Sequence, residues 1–271
     1  MKLKRTTILW MITGVLITLN IILFLIKPGS ERFLTVISDA YPVLCSLIAT
    51  YVLYTTLKAF KNKDYTKTAW IMIFLGVAMD CIAEALYCGQ ELILGINLNE
   101  ATKSVSDIFW ILSYPFSIIG LVMLLKGYFN TDFPKGKRII YIVIIGLFLI
   151  VSIIIVQILL RPIIIDRETL LIDKVVYLIY PVADIVIVSL SLLILYLTSQ
   201  FGGSLISSPW RLIAIAWGLM GVSDILYSYY SWIDAYDSGS MIDIGWNLGY
   251  LLLGLVGLYQ KKLLTAVSGG K

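Results

Sequence analysis

Long apolar runs separated by short polar breaks dominate this chain. Stretches of roughly the 20 residues needed to cross a hydrocarbon core fall at 7–26, 40–60, 68–88, 107–126, 138–160, 175–198, 209–230 and 243–262. The residues within them do not alternate between apolar and polar, as the run IIYIVIIGLFLIVSIIIVQILL at 139–160 shows. Strands of a membrane barrel would alternate with a period of two. The pattern therefore predicts an all-α integral membrane protein with eight transmembrane helices.

The polar positions that interrupt these runs occur twice in the same order. Tyr41-Pro42 recurs as Tyr180-Pro181, Trp70 as Trp210, and Glu84-x-Leu86-Tyr87 as Asp224-x-Leu226-Tyr227. Asp107-Ile108-x-Trp110-x-Leu112-x-Tyr114 recurs as Asp243-Ile244-x-Trp246-x-Leu248-x-Tyr250. The offsets are 139 (180 − 41), 140 (210 − 70), 140 (224 − 84) and 136 (243 − 107), as expected of a duplication followed by a short loop deletion. The chain thus divides into two four-helix repeats, 1–130 and 131–265, with a tail or linker remnant at 266–271. An even number of helices per repeat keeps both in the same orientation, so the repeats are parallel and their pseudo-twofold axis runs along the membrane normal.

Composition agrees with this reading: 59% of residues are apolar, 14% are charged and mean hydropathy is +0.92, whereas soluble domains are about one-quarter charged. Lys2, Lys4 and Arg5 at the start, Lys58, Lys61, Lys63 and Lys67 in the second loop, Lys126, Lys135, Lys137 and Arg138 in the fourth, and Lys261 and Lys262 near the end are basic. The loops between them carry Glu91, Glu100, Asp234 and Asp237. The positive-inside rule then predicts a cell-membrane protein with both termini cytoplasmic. The net charge of +4 is accounted for by that topology, and no nucleic-acid partner is expected.

The chain has no histidine, which excludes His-ligated haem, His-containing zinc sites, Ser-His-Asp triads and His proton relays. No lysine lies between Leu212 and Gln260 to carry a retinal Schiff base, and no cofactor is expected. Cys45, Cys81 and Cys88 form no CxxC pair and read as small apolar fillers.

The chemistry inside the spans is acidic and aromatic. Asp80 and Glu84 on the third helix, Asp184 on the sixth and Asp224 on the seventh have no Lys or Arg at matching depth. A central acid costs roughly 2.5–3.5 kcal/mol on insertion scales and marks a functional position. Protons, Tyr and Trp hydrogen bonds, water from outside or a bound cation must offset that cost. With the third and seventh helices running outward, Glu84, Tyr87, Asp224 and Tyr227 lie in their outer turns. Asp107, Trp110 and Tyr114, like Asp243, Trp246 and Tyr250, start a helix on the same side. Tyr41-Pro42 and Tyr180-Pro181 are expected in first helical turns, where proline is tolerated. The expected ligand site is one outward-facing, electronegative, aromatic-lined cavity made by both repeats. The structural alternatives are N-caps for Asp107 and Asp243, an interfacial aromatic belt and interhelical hydrogen bonds for Glu84 and Asp224. Gly218-x-x-Gly221 and Gly254-x-x-Gly257 read as close-packing sites.

The run Tyr180-Pro181-Val182-Ala183-Asp184, then Ser223-Asp224-Ile225-Leu226-Tyr227, then Asp243-Ile244-Gly245-Trp246-Asn247-Leu248-Gly249-Tyr250, resembles the multi-helix membrane input domains found N-terminal to bacterial and archaeal diguanylate cyclases and sensor histidine kinases. The first repeat resembles them less, with Cys45 in place of the acid at Asp184. The resemblance implies a sensory module that detects an extracellular or intramembrane ligand and signals to a cytoplasmic kinase or cyclase, domain or protein. Membrane lipids and a second copy of the chain, as a homodimer, are the other expected partners. Two alternatives stay open: a cation or small-solute transporter or channel, and an intramembrane lipid hydrolase using paired carboxylates.

Overall fold

The computed structural model of the chain describes residues 5–61, 64–96, 98, 104–167, 170–200, 202, 207–233 and 235–269. Lys2, Lys4, Lys63, Glu100 and Asp234, which contributed to the loop-charge pattern, lie outside the described residues, as do 270–271. Among the described residues there are eight long helices and no strand. They are α1 (Arg5–Ile26), α2 (Glu31–Leu57), α3 (Tyr65–Leu92), α4 (Val105–Phe129), α5 (Arg138–Ile165), α6 (Leu171–Ser199), α7 (Ser207–Trp232) and α8 (Asp243–Gly269). Seven of them, all but α8, are long and apolar enough to cross a membrane. The chain is therefore an all-helical protein of the kind that spans a bilayer.

Local chemistry sets the helix starts. The Ser30 side chain accepts the Phe33 N–H and places Glu31 in the first turn of α2, where its charge suits the helix dipole. Asp64 accepts the Lys67 N–H at 2.8 Å to open α3. Ser104 and Asp107 form a capping box at the start of α4. The Ser30 cap begins α2 nine residues before the start expected from hydropathy (40 − 31), and α6 begins four residues early (175 − 171). Pro42 and Pro181 are consequently not in first turns. They lie eleven and ten residues past their helix starts (42 − 31, 181 − 171). Interior proline removes a backbone hydrogen bond and bends the helix, and Pro42 lines the cavity described below. In α5, Val156–Leu160 forms a π-turn just before Arg161-Pro162; the wider turn accommodates a proline that has no N–H to donate.

Six helices close a ring. α2 packs on α3, α3 on α4, α4 on α6, α6 on α7, α7 on α8, and α8 back on α2. α1 lies outside against α8, and α5 lies outside against α6, with no buried residue between Arg138 and Ile155. Small residues allow the close contacts: a Cβ on Gly120 would sit 2.7 Å from Ile73, and one on Gly221 2.7 Å from Val188. Gly254 and Gly257 pack against α2, whereas Gly218 faces open space. Each ring helix also contributes one apolar side chain at most 1% exposed: Leu53, Ile73, Leu121, Ile194, Ile213 and Val256. These lie 10 to 14 residues along their helices from Asp39, Glu84, Asp107, Asp184, Asp224 and Asp243, or roughly 15–21 Å at 1.5 Å per residue. Buried apolar side chains therefore dominate the packing at one end of the ring. The acids occupy the other end, where α2, α4, α6 and α8 begin.

Candidate functional site

The six ring helices enclose a cavity of about 180 Å³ at the acidic end. Seven acids line it: Asp39, Asp80, Glu84, Asp107, Asp184, Asp224 and Asp243. Among the described residues, no lysine or arginine does.

The central acids are held in two matching arrangements. In one, the Trp246 indole N–H donates to Asp224 Oδ1 at 2.8 Å, and the Tyr227 and Trp246 rings lie 5.6 Å apart. In the other, the Trp110 indole hydrogen-bonds Glu84, and the Tyr87 and Trp110 rings also lie 5.6 Å apart. Each acid then meets a tyrosine from the opposite half of the chain. Tyr250 on α8 donates to Glu84 Oε1 on α3 at 2.8 Å. Tyr114 on α4 donates to Asp184 Oδ1 at 2.8 Å and lies 3.5 Å from Asp224 Oδ2. Bonds of this kind to a charged acceptor are worth roughly 1.5–3 kcal/mol, the same order as the cost of placing the acid at such depth.

The rim uses Asp107 and Asp243. Asp107 accepts the Ser104 N–H at 2.6 Å and the Tyr180 hydroxyl at 2.5 Å. It is the third helical residue, N3 of the capping box, rather than an N-cap, and Ser104 occupies the cap. Asp243 accepts the Tyr236 hydroxyl at 2.9 Å and the Gly239 and Ser240 N–H groups at 2.8 and 3.2 Å. These donors precede α8, so Asp243 braces the α7–α8 loop against the cavity mouth.

Of the twelve residues expected to form the site, eleven line this one cavity: Asp80, Glu84, Tyr87, Asp107, Trp110, Tyr180, Asp184, Asp224, Tyr227, Asp243 and Trp246. Tyr41 is the exception. Its hydroxyl donates to the Leu16 carbonyl at 2.5 Å and ties α2 to α1 outside the cavity. Asp80, hydrogen-bonded to Ser113, and Asp184 both line the same space, although the sequence pattern aligns them with Met220 and Cys45. The hydropathy pattern missed Asp39, because it read residues before 40 as loop. The Ser30-Glu31 cap was the available signal, and the extended α2 buries Asp39 to 4% exposure on the cavity wall. Tyr236, in a loop without periodicity, had no such signal.

Two carboxylate oxygens in this wall, Asp39 Oδ2 and Asp184 Oδ2, are buried with no hydrogen-bond partner in the protein. Among the described residues, no three acids or cysteines lie close enough together to hold a metal ion. Cys45, Cys81 and Cys88 are free thiols, the first two buried.

The chain matches no protein-family model, no curated protein and no solved structure.

Proposed function

We propose that this chain is a membrane-embedded sensory module that binds a small organic cation in the acidic, aromatic-walled cavity and passes the event to a cytoplasmic partner. One observation carries the reading: seven acids and, among the described residues, no base line one cavity. A cation offsets the unbalanced charge, and the paired Tyr–Trp rings offer faces on which an alkylammonium gains further cation–π attraction. About 180 Å³ slightly exceeds the roughly 150 Å³ that accommodates a benzene-sized guest.

In this reading the chain has eight spans in two parallel repeats, and α8 crosses the membrane inside the bundle. The ring contacts support it: α2–α3, α3–α4 and α4–α6 have the counterparts α6–α7, α7–α8 and α8–α2. Basic loops set both termini in the cytoplasm, so the cavity opens outward. α8 carries cavity residues at its start and Gln260-Lys261-Lys262 near its other end, and it transmits a change in packing between the halves. The transporter reading is weaker because the half of the ring helices away from the acids is mainly apolar in sequence.

The test is calorimetric titration of the protein in lipid nanodiscs with alkylammonium ions and, as controls, alkyl carboxylates of the same length. Saturable binding of the cations that is weakened in Glu84→Gln and Asp224→Asn is expected, together with a cation-dependent change in spin-label distances between the ends of α4 and α8. Binding with no distance change at any cation concentration eliminates the sensory half of the proposal, and preference for the carboxylates eliminates all of it.

A further inference from the structure

A second cavity, of about 570 Å³, lies between α5 and the faces of α6 and α7. Its volume falls within the roughly 300–1,000 Å³ of small-molecule sites. Its wall is hydrocarbon, with Leu147, Val151 and Ile155 on α5, Val188 and Leu192 on α6 and Leu226 on α7. Among the described residues, the polar side chains in that wall are Tyr196 and Ser199, both in the last turn of α6. α5 buries no residue between Arg138 and Ile155, so it does not close the gap by packing. An empty apolar gap forfeits dispersion contacts on both of its walls, and such a space stays dry but admits an apolar guest. We infer that this groove is a lipid site, which holds one acyl chain of an anionic phospholipid with the phosphate among Lys135, Lys137 and Arg138.

Length points to an acyl chain. On α5 the wall runs from Ile144 to Ile155, eleven residues (155 − 144), and on α6 from Ile185 to Ser199, fourteen residues (199 − 185). At 1.5 Å per residue these are roughly 17 and 21 Å, close to the ~15 Å half-thickness of a hydrocarbon core about 30 Å thick. The groove thus spans one leaflet, from the end where α5 starts and α6 stops to about the middle of the bilayer.

The head-group end is basic. Lys137 donates its N–H to the Tyr196 hydroxyl at 2.7 Å, and the Tyr141 and Tyr196 rings meet edge to face at 5.0 Å, so the segment that leads into α5 is seated on the polar end of the groove. Gly136, at φ +73°, makes the turn against the Tyr196 ring. Lys135, Lys137 and Arg138, in and beside that turn, are exposed. The sequence has no acid from Phe133 to Ile165 or from Ile185 to Gln200, and Asp132 is the nearest one before the turn. Basic clusters where helices meet the membrane surface attract anionic head groups. A zwitterionic head group brings its own cation to the same place and gains less.

The experiment is native mass spectrometry of the whole chain, delipidated in nonionic detergent and titrated with phosphatidylglycerol or with phosphatidylcholine carrying the same acyl chains. One tightly held lipid per chain is expected, with phosphatidylglycerol bound about tenfold or more tightly than phosphatidylcholine. Leu192→Trp, at a position 41% exposed with room for a larger side chain, fills the groove and should abolish the tight site for both lipids. The triple variant Lys135→Gln, Lys137→Gln, Arg138→Gln should equalise the two lipids and keep the site. If Leu192→Trp fails to fold, judged by its thermal melt, Val151→Trp on the α5 wall takes its place. Equal affinity of the wild type for the two lipids overturns the inference. So does binding of several lipids with no tight first one, or a tight site that survives the tryptophan. Each of these results leaves the cation reading of the acidic cavity to its own test with water-soluble ammonium ions.

Discussion

Replacing Tyr250 by Phe removes one hydroxyl from a residue only 2% exposed and leaves Glu84 with Trp110 as its remaining donor. The hydroxyl donates at 2.8 Å, a full-strength geometry. In aqueous proteins a bond to a charged acceptor is worth roughly 1.5–3 kcal/mol. Between membrane helices, double-mutant cycles average about 0.6 kcal/mol and reach about 1.7, because the unfolded chain in the membrane finds other partners. The Tyr250–Glu84 contact is enclosed and joins α8 to α3, so a coupling in the upper part of that range is expected, about 1–1.7 kcal/mol. The assay is a cycle of wild type, Tyr250→Phe, Glu84→Gln and the double variant, each unfolded by denaturant in mixed micelles. Both single variants should lose stability, and the double variant should lose less than their sum by the coupling energy. A cycle additive within about 0.3–0.5 kcal/mol shows that this bond does not link the two halves and refutes the reasoning. The corresponding cycle of Tyr114→Phe with Asp184→Asn should give a larger coupling than with Asp224→Asn, following the 2.8 and 3.5 Å contacts.

Gly120→Ala should destabilise by about 1–3 kcal/mol in the same unfolding assay, because its Cβ would meet Ile73 at 2.7 Å and the Ala69 carbonyl at 3.1 Å. Gly218→Ala meets nothing within 4 Å and should gain up to about 1 kcal/mol from helix propensity. Tyr41→Phe should cost about 0.5–1.5 kcal/mol through its lost bond to Leu16 and leave calorimetric amine affinity unchanged. Asn247 donates to Asn20 at 2.9 Å with both side chains fully buried. Asn20→Leu should therefore cost about 1–3 kcal/mol, and adding Asn247→Leu should recover part of that loss in thermal melts.

Much of the site was legible because polar residues in a bilayer are costly. Glu84, Asp224, Trp110 and Trp246 stood out against a background of Leu, Ile and Val, and their recurrence in the same order placed them together. Helix count was legible from run length. What escaped depended on contacts between distant elements or on capping chemistry. Asp39 was hidden by a helix start that a serine side chain sets and hydropathy does not register. Tyr41 shares a motif with Tyr180, but α1 offers it the Leu16 carbonyl, and no spacing rule foretells which acceptor lies nearest. The π-turn in α5 could have been suspected from Pro162 alone.

The crossed tyrosines also bear on how such a protein could have arisen and how it could be divided. Glu84 needs Tyr250 and Asp184 needs Tyr114, so a fragment ending near residue 130 and one beginning near 138 each hold acids whose hydroxyl donors are on the other. Neither fragment retains a finished pocket by itself, whereas two expressed in one cell could rebuild it by pairing. If one gene doubled to make this chain, its ancestor needed two identical copies to reciprocate the bonds, and every acid appeared in duplicate. Fusion removed that constraint. A single mutation could then alter one half without altering the other, which is how Asp39, Asp80 and Asp184 can stand opposite Leu178, Met220 and Cys45.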